Sequence, residues 1–585
     1  MRFIGRFSRV AALVAAGSIT GTAFALNPGD TVDNFGLIDH KDGAQELYYR
    51  SDMKAVVLLT HANGCLAVRS AATTLEGLRA KHPNVEFLML NSNLGDTREA
   101  IKADARDLAL AAPIMIDDTQ LVGESLGVKT NGEVFVIDSQ AGFKVAYRGA
   151  ASGVAQALEA VVAGTPVAKT TLPATGCEAS FPELAKRSAH ARISYEKTIA
   201  PLLEEKCVAC HRDGGIGPWA MSSYEMIKGF APMIREVVRT KRMPPWHVDP
   251  HYGAWKNDRG LSIAQAQTLV HWIEAGAPRG AGTSDPLQAA KKDWPTWTLG
   301  EPDLVIETPP FTTPPTGTIP YQNVTVKNPL TEDRWIRAID YVPGQRAVLH
   351  HVIASVGGER FGATALNNYV PGAGPLEIPQ GNGILLKAGS TFHFQMHYTT
   401  NGQALTDVTK FGLYFMKEKP EHDFQSLILI QPRLKIPPNT KVHPETAVGT
   451  FKKDAMIYSL HPHAHFRGKS AAFVARFPDG REEMLINIPM YDFNWQGTYD
   501  LATPLTVPAG TKIVYTQVFD NSVQNKANPD PNKLVTWGEQ TWQEMVFGVV
   551  RYRNLVETGE VETPTGPTQQ EIFGEEPLRT SAAQH

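Results

Sequence analysis

The 585-residue chain is 42% hydrophobic and 20% charged, which excludes collagen-like, disordered and membrane-bundle classes. Lys and Arg number 56 against 60 Asp and Glu, and the formal charge of −4 implies neither a nucleic-acid nor an anionic-membrane partner. The length suits about three to five domains, and four Cys are too few for a disulfide scaffold.

Residues 1–25 read as a secretory signal peptide. Arg2, Arg6 and Arg9 precede the apolar run Val10 to Ala16, and Ala23-Phe24-Ala25 forms a small-residue cleavage site. No later apolar run reaches about 18 residues, so no membrane span is expected. The product is expected to be periplasmic or secreted, where disulfides persist. Residues 26–163 alternate strand patterns (55–60, 85–90, 113–116, 133–138 and 144–148) with helical ones (66–82, 98–110 and 119–126). That alternation predicts an α/β domain. A linker over 164–190 carries Pro166 and Pro173.

Residues 191–279 predict a small all-α domain. Tyr195, Ile199, Leu202 and Leu203 share one helical face. Ser262 and Gln265 form a capping box for a last helix that stops at Gly276. A second linker covers 280–300. Residues 301–430 and 431–555 carry short β-rich runs split by Pro and Gly, the pattern of two antiparallel sandwiches. The tail 556–585 is rich in Thr, Glu, Gln and Pro and is expected to be disordered.

Three constellations carry chemistry. The first is Cys207-Val-Ala-Cys210-His211. Two thiols three apart can take both haem vinyl groups, and the adjacent imidazole can face the iron, so the motif predicts one covalent haem c. Met221, Met226, Met233 and Met243 are available as second axial ligand. Met243, on the stiff Met243-Pro244-Pro245-Trp246 loop, suits the role best, with His247 and His251 as alternatives. The segment resembles a small cytochrome c domain.

The second constellation is Cys65 and Cys177, the even remainder in an oxidising compartment, which suggests a mutual disulfide. The α/β segment resembles the thioredoxin/redoxin family, with Cys65 at the strand-to-helix turn. It departs at Cys65-Leu66-Ala67-Val68, which lacks the second Cys of a C-x-x-C, and at Gly132, where the family places a cis-Pro. A structural disulfide and a working redox pair both fit.

The third is a histidine set. Nine of 18 His fall between His350 and His465, and seven of these form three groups: His350-His351, His393 with His397, and His461-Pro-His463-Ala-His465. On a strand, His463 and His465 share a face, whereas the adjacent His350 and His351 converge only at a bulge or strand end. Imidazoles without thiolate suit copper or zinc.

Leu349-His350-His351-Val352, Gln395-Met396-His397-Tyr398, Pro462-His463-Ala464-His465 and Glu544-Met545 occur in that order. The set resembles the copper type II, ascorbate-dependent monooxygenases, the peptidylglycine α-hydroxylating and dopamine β-monooxygenase group. The resemblance implies two jelly-roll domains facing across a solvent cleft, each with one of two copper ions. His350, His351 and His397 would hold the electron-transfer copper, and His463, His465 and Met545 the catalytic, oxygen-activating one. It implies a monooxygenase that uses O2 on an activated C–H bond of a small-molecule substrate. Electrons would come from the fused haem and an external donor. Two departures stand out: His461 occupies the position of the family's substrate-binding Arg, and this half has no Cys. A non-catalytic electron relay or copper-handling protein is the alternative.

Overall fold

The computed structural model describes residues 25–289, 295–357, 364–370 and 374–555. The expected signal peptide (Ala25 apart) and the tail 556–585 lie outside the described residues.

The N-terminal sheet has the strand order Ile114–Ile116, Val85–Asn91, Ala55–His61, Val134–Asp138, Lys144–Gly149, Thr171–Leu172. Its first three strands are mutually parallel, and Val134–Asp138 runs antiparallel to Ala55–His61. Ala55–His61 is buried on both faces. Ala55, Val57 and Leu59 meet helices Leu66–Arg79 and Val154–Ala163, while Val56 and Leu58 enter a second core with Phe35 and Phe135. A strand covered on both sides reads as a continuous apolar run, as Ala-Val-Val-Leu-Leu does here. The arrangement is thioredoxin-like.

The expected linker 164–190 is instead held to this domain. Thr171–Leu172 adds a parallel edge strand beside Arg148 and Gly149, and Cys177–Glu178 pairs with Thr130–Asn131. A side chain at Gly149 would forbid the first pairing, because its Cβ would fall 1.9 Å from the Leu172 carbonyl oxygen at a φ of +147°.

The helical part has a wide turn at Tyr195–Ile199 that runs into helix Ala200–Lys206, then helices Tyr224–Arg239 and Ile263–Glu274. Tyr195, Leu203, Ile227, Ile234, Leu269 and Trp272 form its core. The capping box is formed: Gln265 N donates to Ser262 Oγ at 3.2 Å, and Ser262 N donates to Gln265 Oε1 at 2.9 Å.

The remainder is β-rich and forms two units, each with two sheets on one core. In the first, Arg334–Val342 and Lys410–Phe415 lie in one sheet, and Gln322–Lys327, Thr391–Tyr398, Leu349–Val356 and Thr364–Tyr369 make the other. In the second, Gln425–Ile430, Phe547–Asn554, Ala455–His463 and Tyr499–Val507 face His443–Thr450, Lys512–Phe519, Gly468–Arg476 and Glu482–Ile488. The expected boundary at 430/431 moves to just before Gln425. Gln425–Ile430 pairs along its length with Phe547–Asn554 of the second unit, whereas His422–Asp423 pairs with Asn382–Gly383 of the first.

The parts are packed together. Beyond helix Tyr224–Arg239, the segment 246–257 lies on the second β unit. Trp246 meets Tyr499 edge-on at 5.0 Å, and backbone bonds join Lys256 N to Asp500 O and Ala502 N to Ala254 O. At Asp249 three regions meet. Arg98 of the α/β domain donates to its carboxylate at 2.8 Å, and Asn487 Nδ2 of the second β unit lies 3.3 Å from Asp249 Oδ2. Burial raises the Asp249 carboxyl, but hydrogen bonds from His251 and the Arg98 charge outweigh it and hold the group down at about 2.

Because this folded-state value lies below the usual carboxylate range of about 3.9, the Asp249 contribution is present above pH ~4 and is lost as pH falls toward 2. Arg98→Ala leaves a buried carboxylate without its cation. The expected cost is about 3 kcal/mol near neutrality, read as a lower urea midpoint. The gap to wild type should shrink below pH ~3; a constant gap would show that the carboxylate's charge is not the cause.

Candidate functional site

Strand Leu349–Val356 pairs with Thr391–Tyr398, and the register slips between Leu349 and His351. That bulge turns both adjacent imidazoles toward His397. His350, His351 and His397 bring ligand-type nitrogens within 4.8 Å of one another, and all three are buried. His350 Nε2, His351 Nε2 and His397 Nδ1 have no hydrogen-bond partner. Burial is the first cause that lowers all three: His350 falls to about 4, His397 to about 2, and His351 well below its ordinary value. Each is therefore a neutral imidazole with a lone pair to offer.

His463 and His465 stand at the end of strand Ala455–His463 and just beyond it, with ring centroids 5.1 Å apart. Both are oriented by their Nδ1 atoms. His463 Nδ1 bonds Gln496 Oε1, and His465 Nδ1 bonds the Gln543 carbonyl at 3.1 Å. Those bonds do not use Nε2 of either ring, the nitrogen that could face a metal. Glu544 fixes the backbone here, accepting from His465 N at 2.8 Å and from Arg467 N at 2.6 Å. Met545 is half-buried, one residue beyond Glu544 and two before Phe547, which pairs with His463.

The resemblance implied a solvent cleft between two sites. Instead the five imidazoles form one buried group, with the His351 and His463 rings 6.5 Å apart. Phe493 of the second unit stacks on His350 at 4.6 Å and 12°, and Tyr321 packs against His351, His397 and His465. Phe493 thus reaches from the second unit to His350 and His397 of the first, and Tyr321 from the first to His465 of the second. His393 and His461 bond elsewhere: His393 Nε2 bonds Gly357 O at 3.1 Å, and His461 Nδ1 lies 3.4 Å from Thr498 Oγ1, though His461 is near enough to His463 to be lowered by it after burial. Sequence reasoning missed Tyr321, Phe493, Gln496 and Glu544 as builders of the site. Of these only Glu544 carried a signal, through its neighbour Met545.

Cys207 closes helix Ala200–Lys206, and Cys210 N and His211 N both donate to the Cys207 carbonyl at 3.1 and 3.0 Å. That tight turn sets both thiols and the imidazole on one cavity of about 770 Å3, within the ~300–1,000 Å3 range of cofactor sites. His211 Nδ1 bonds the Trp219 carbonyl at 3.0 Å, which leaves Nε2 for a ligand. Gly217 is needed against this ring, because a Cβ there would lie 2.7 Å from His211 Nδ1. The two thiols are not bonded to each other, and burial pushes Cys207 up to about 12. Met221, Met233 and Met243 line the cavity; Met226, His247 and His251 are not among its lining residues. Arg346, Tyr369 and Trp495 of the β half complete its wall. The thiol pair, the oriented imidazole and the thioethers fit a covalent haem.

In the α/β domain, Cys65 is bonded to Cys177. Cys65 is the N-cap residue of helix Leu66–Arg79 and is buried, while Cys177 lies on the short strand that pairs with Thr130–Asn131.

No protein-family model and no curated protein matches the chain. Among solved structures, it is similar to an uncharacterized conserved protein from Geobacillus kaustophilus (22% identity, 27% of this chain, 93% of that one, TM-score 0.25). It is also similar to the peroxidoxin BcpB from Mycobacterium tuberculosis (20%, 24% and 97%, TM-score 0.21) and to a thioredoxin-like protein from Aeropyrum pernix (17%, 23% and 89%, TM-score 0.19). Each match spans about a quarter of the chain or slightly more.

Two outcomes follow from this geometry. Cys65→Ala,Cys177→Ala opens a crosslink between residues 112 apart. The unfolding free energy should fall by about 2–4 kcal/mol, read as a urea midpoint; an unchanged midpoint would make the bond structurally idle. Cys207→Ala,Cys210→Ala, expressed with a c-type maturation system, should lose all acid-acetone-resistant Soret absorbance. Absence of that absorbance from wild type under the same conditions would remove the haem assignment.

Proposed function

We propose that this chain is an exported copper-dependent monooxygenase that hydroxylates an activated C–H bond of a small molecule, with electrons supplied through its own c-type haem. The observation that carries the reading is the convergence of His350, His351 and His397 at a strand bulge, against His463 and His465. The two paired-sheet units are read as the two jelly rolls of the copper type II family, and the helical part as a cytochrome c domain.

When bound, two copper ions and the haem would supply one-electron chemistry and oxygen activation. One C–H bond, one O2, two electrons and two protons give one C–OH and one water, and an external one-electron donor provides the reducing equivalents. The protein's own groups divide the work. His350, His351 and His397 offer three neutral nitrogens for an electron-transfer copper. His463 and His465, held by Gln496 and the Gln543 carbonyl, offer two more, and Met545 is proposed as their third partner, because its soft sulfur suits Cu(I). His211 is oriented by the Trp219 carbonyl, and Met243 lines the same cavity. One short segment joins the two centres: Trp495 lines the cavity of Cys207 and Cys210, Gln496 bonds His463, and Phe493 stacks on His350. That continuity supports an electron route inside the chain.

Burial of all five imidazoles favours a second reading, a relay or copper-handling protein without a substrate. Wild type should bind two coppers per chain beside one haem iron. Met545→Ala or His463→Ala should abolish hydroxylation while one copper still binds and cycles. His397→Ala should slow re-reduction and also leave one copper, whereas His393→Ala and His461→Ala should leave both. Metal analysis, oxygen uptake and product mass spectrometry with reductant check these outcomes. Redox cycling without any hydroxylated product decides for the relay, and a stoichiometry of one copper removes the two-site reading.

A further inference from the structure

Away from the histidine group, a second set of metal-type side chains lies where the α/β domain, the connecting segment and the helical part meet. Glu124 comes from helix Leu121–Leu126, His190 from helix Arg187–His190 with Glu183 just before it, and His271 from helix Ile263–Glu274. Glu183, His190 and His271 bring ligand-type atoms within 4.8 Å of one another. His190 Nε2 lies 3.5 Å from Glu183 Oε2, and its ring stacks on His271 with centroids 4.2 Å apart. His271 Nε2 lies 2.6 Å from Glu124 Oε2.

Two further facts point to a ligand. His190, His271 and Glu124 are only 7%, 4% and 5% exposed. Within this dry set, Glu124 Oε1 has no hydrogen-bond partner, and His190 Nε2 makes only the long 3.5 Å contact to Glu183. A buried polar atom left unpaired costs about 1–3 kcal/mol, and an ion is one of the standard explanations.

We propose that Glu183, His190, His271 and Glu124 form a closed site for a zinc-class divalent cation that staples the α/β domain to the helical part. Two imidazoles and two carboxylates make a borderline donor set of the kind zinc accepts, and four protein ligands with no open position mark a structural site. Zinc–ligand bonds of about 2.0–2.2 Å imply ligand separations of about 3.3–3.6 Å. The 3.5 Å separation of His190 and Glu183 meets that already; the 2.6 Å His271–Glu124 pair is a hydrogen bond, and it opens when the ion displaces the proton it shares. The site is separate from the copper and haem readings and stands without them.

The test uses the full chain, stripped with chelator and retitrated with Zn²⁺ and with Co²⁺, whose d–d absorption reports binding. Wild type should take up one more equivalent per chain than His190→Asn. Zn²⁺ should raise the wild-type thermal midpoint by more than it raises that of the variant. Glu183→Gln changes a half-buried residue and should weaken this one equivalent at least tenfold, while copper uptake by the His350 group stays at the wild-type level. It keeps the test valid should His190→Asn fail to fold. Equal Zn²⁺ and Co²⁺ equivalents in wild type and Glu183→Gln, with equal affinity, would overturn the site and leave a buried His–Glu ion-pair network.

Discussion

A ring nitrogen buried without a partner costs about 1–3 kcal/mol, and the first β unit holds three of them, on three imidazoles whose ligand-type atoms come within 4.8 Å of one another. Much of the molecule serves that arrangement. The slip after Leu349 turns two adjacent side chains to one place, and Tyr321 and Phe493 shut water out. The second unit lays His463 and His465 against the same spot, each fixed through Nδ1. One contact between ring nitrogens, His350 Nδ1 to His351 Nδ1 at 3.4 Å, joins two of the three imidazoles, and it leaves His350 Nε2, His351 Nε2 and His397 Nδ1 unpaired. On the proposed reading, they suit a soft or borderline cation.

The same economy governs how the regions are joined. Connecting segments that look like tethers are folded onto their neighbours. Thr171–Leu172 extends a sheet, 246–257 lies on the second β unit, and Trp297 is buried with its ring against Gly412 of the first. The cavity of Cys207 and the imidazole group thus share one short segment, 493–496. Distance between the two centres is fixed by packing rather than by the sweep of a linker.

Local signals carried far. Strand Ala55–His61, the cap at Ser262 and Gln265, and the strands Thr391–Tyr398 and Lys410–Phe415 follow from apolar period and side-chain chemistry within a few residues. The pairing of Cys65 with Cys177 was legible because the C-x-x-C-H motif had claimed the other two thiols. Other features had no local signature. Gln425–Ile430 joins the second unit because its partner, Phe547–Asn554, comes more than a hundred residues later. Tyr321 and Phe493 read as ordinary core aromatics, and their role appears only when strands far apart in the chain are side by side. The closed contact between the units escaped for the same reason, since the resemblance named the histidines but not the aromatic rings packed among them.

The wall of the haem-type cavity has a consequence for assembly. Cys207 and Cys210 stand early in the chain, whereas Asp340, Tyr341, Tyr369 and Trp495, which cover them, come much later. A chain exported from its N-terminus would present the two thiols to the outside before that cover exists. Thioether bonds to a bulky macrocycle form readily on such an open segment and poorly inside a finished cavity. On the haem reading proposed above, order of synthesis becomes part of the architecture: the β half would act as a lid that closes once, over a cofactor already joined to the chain.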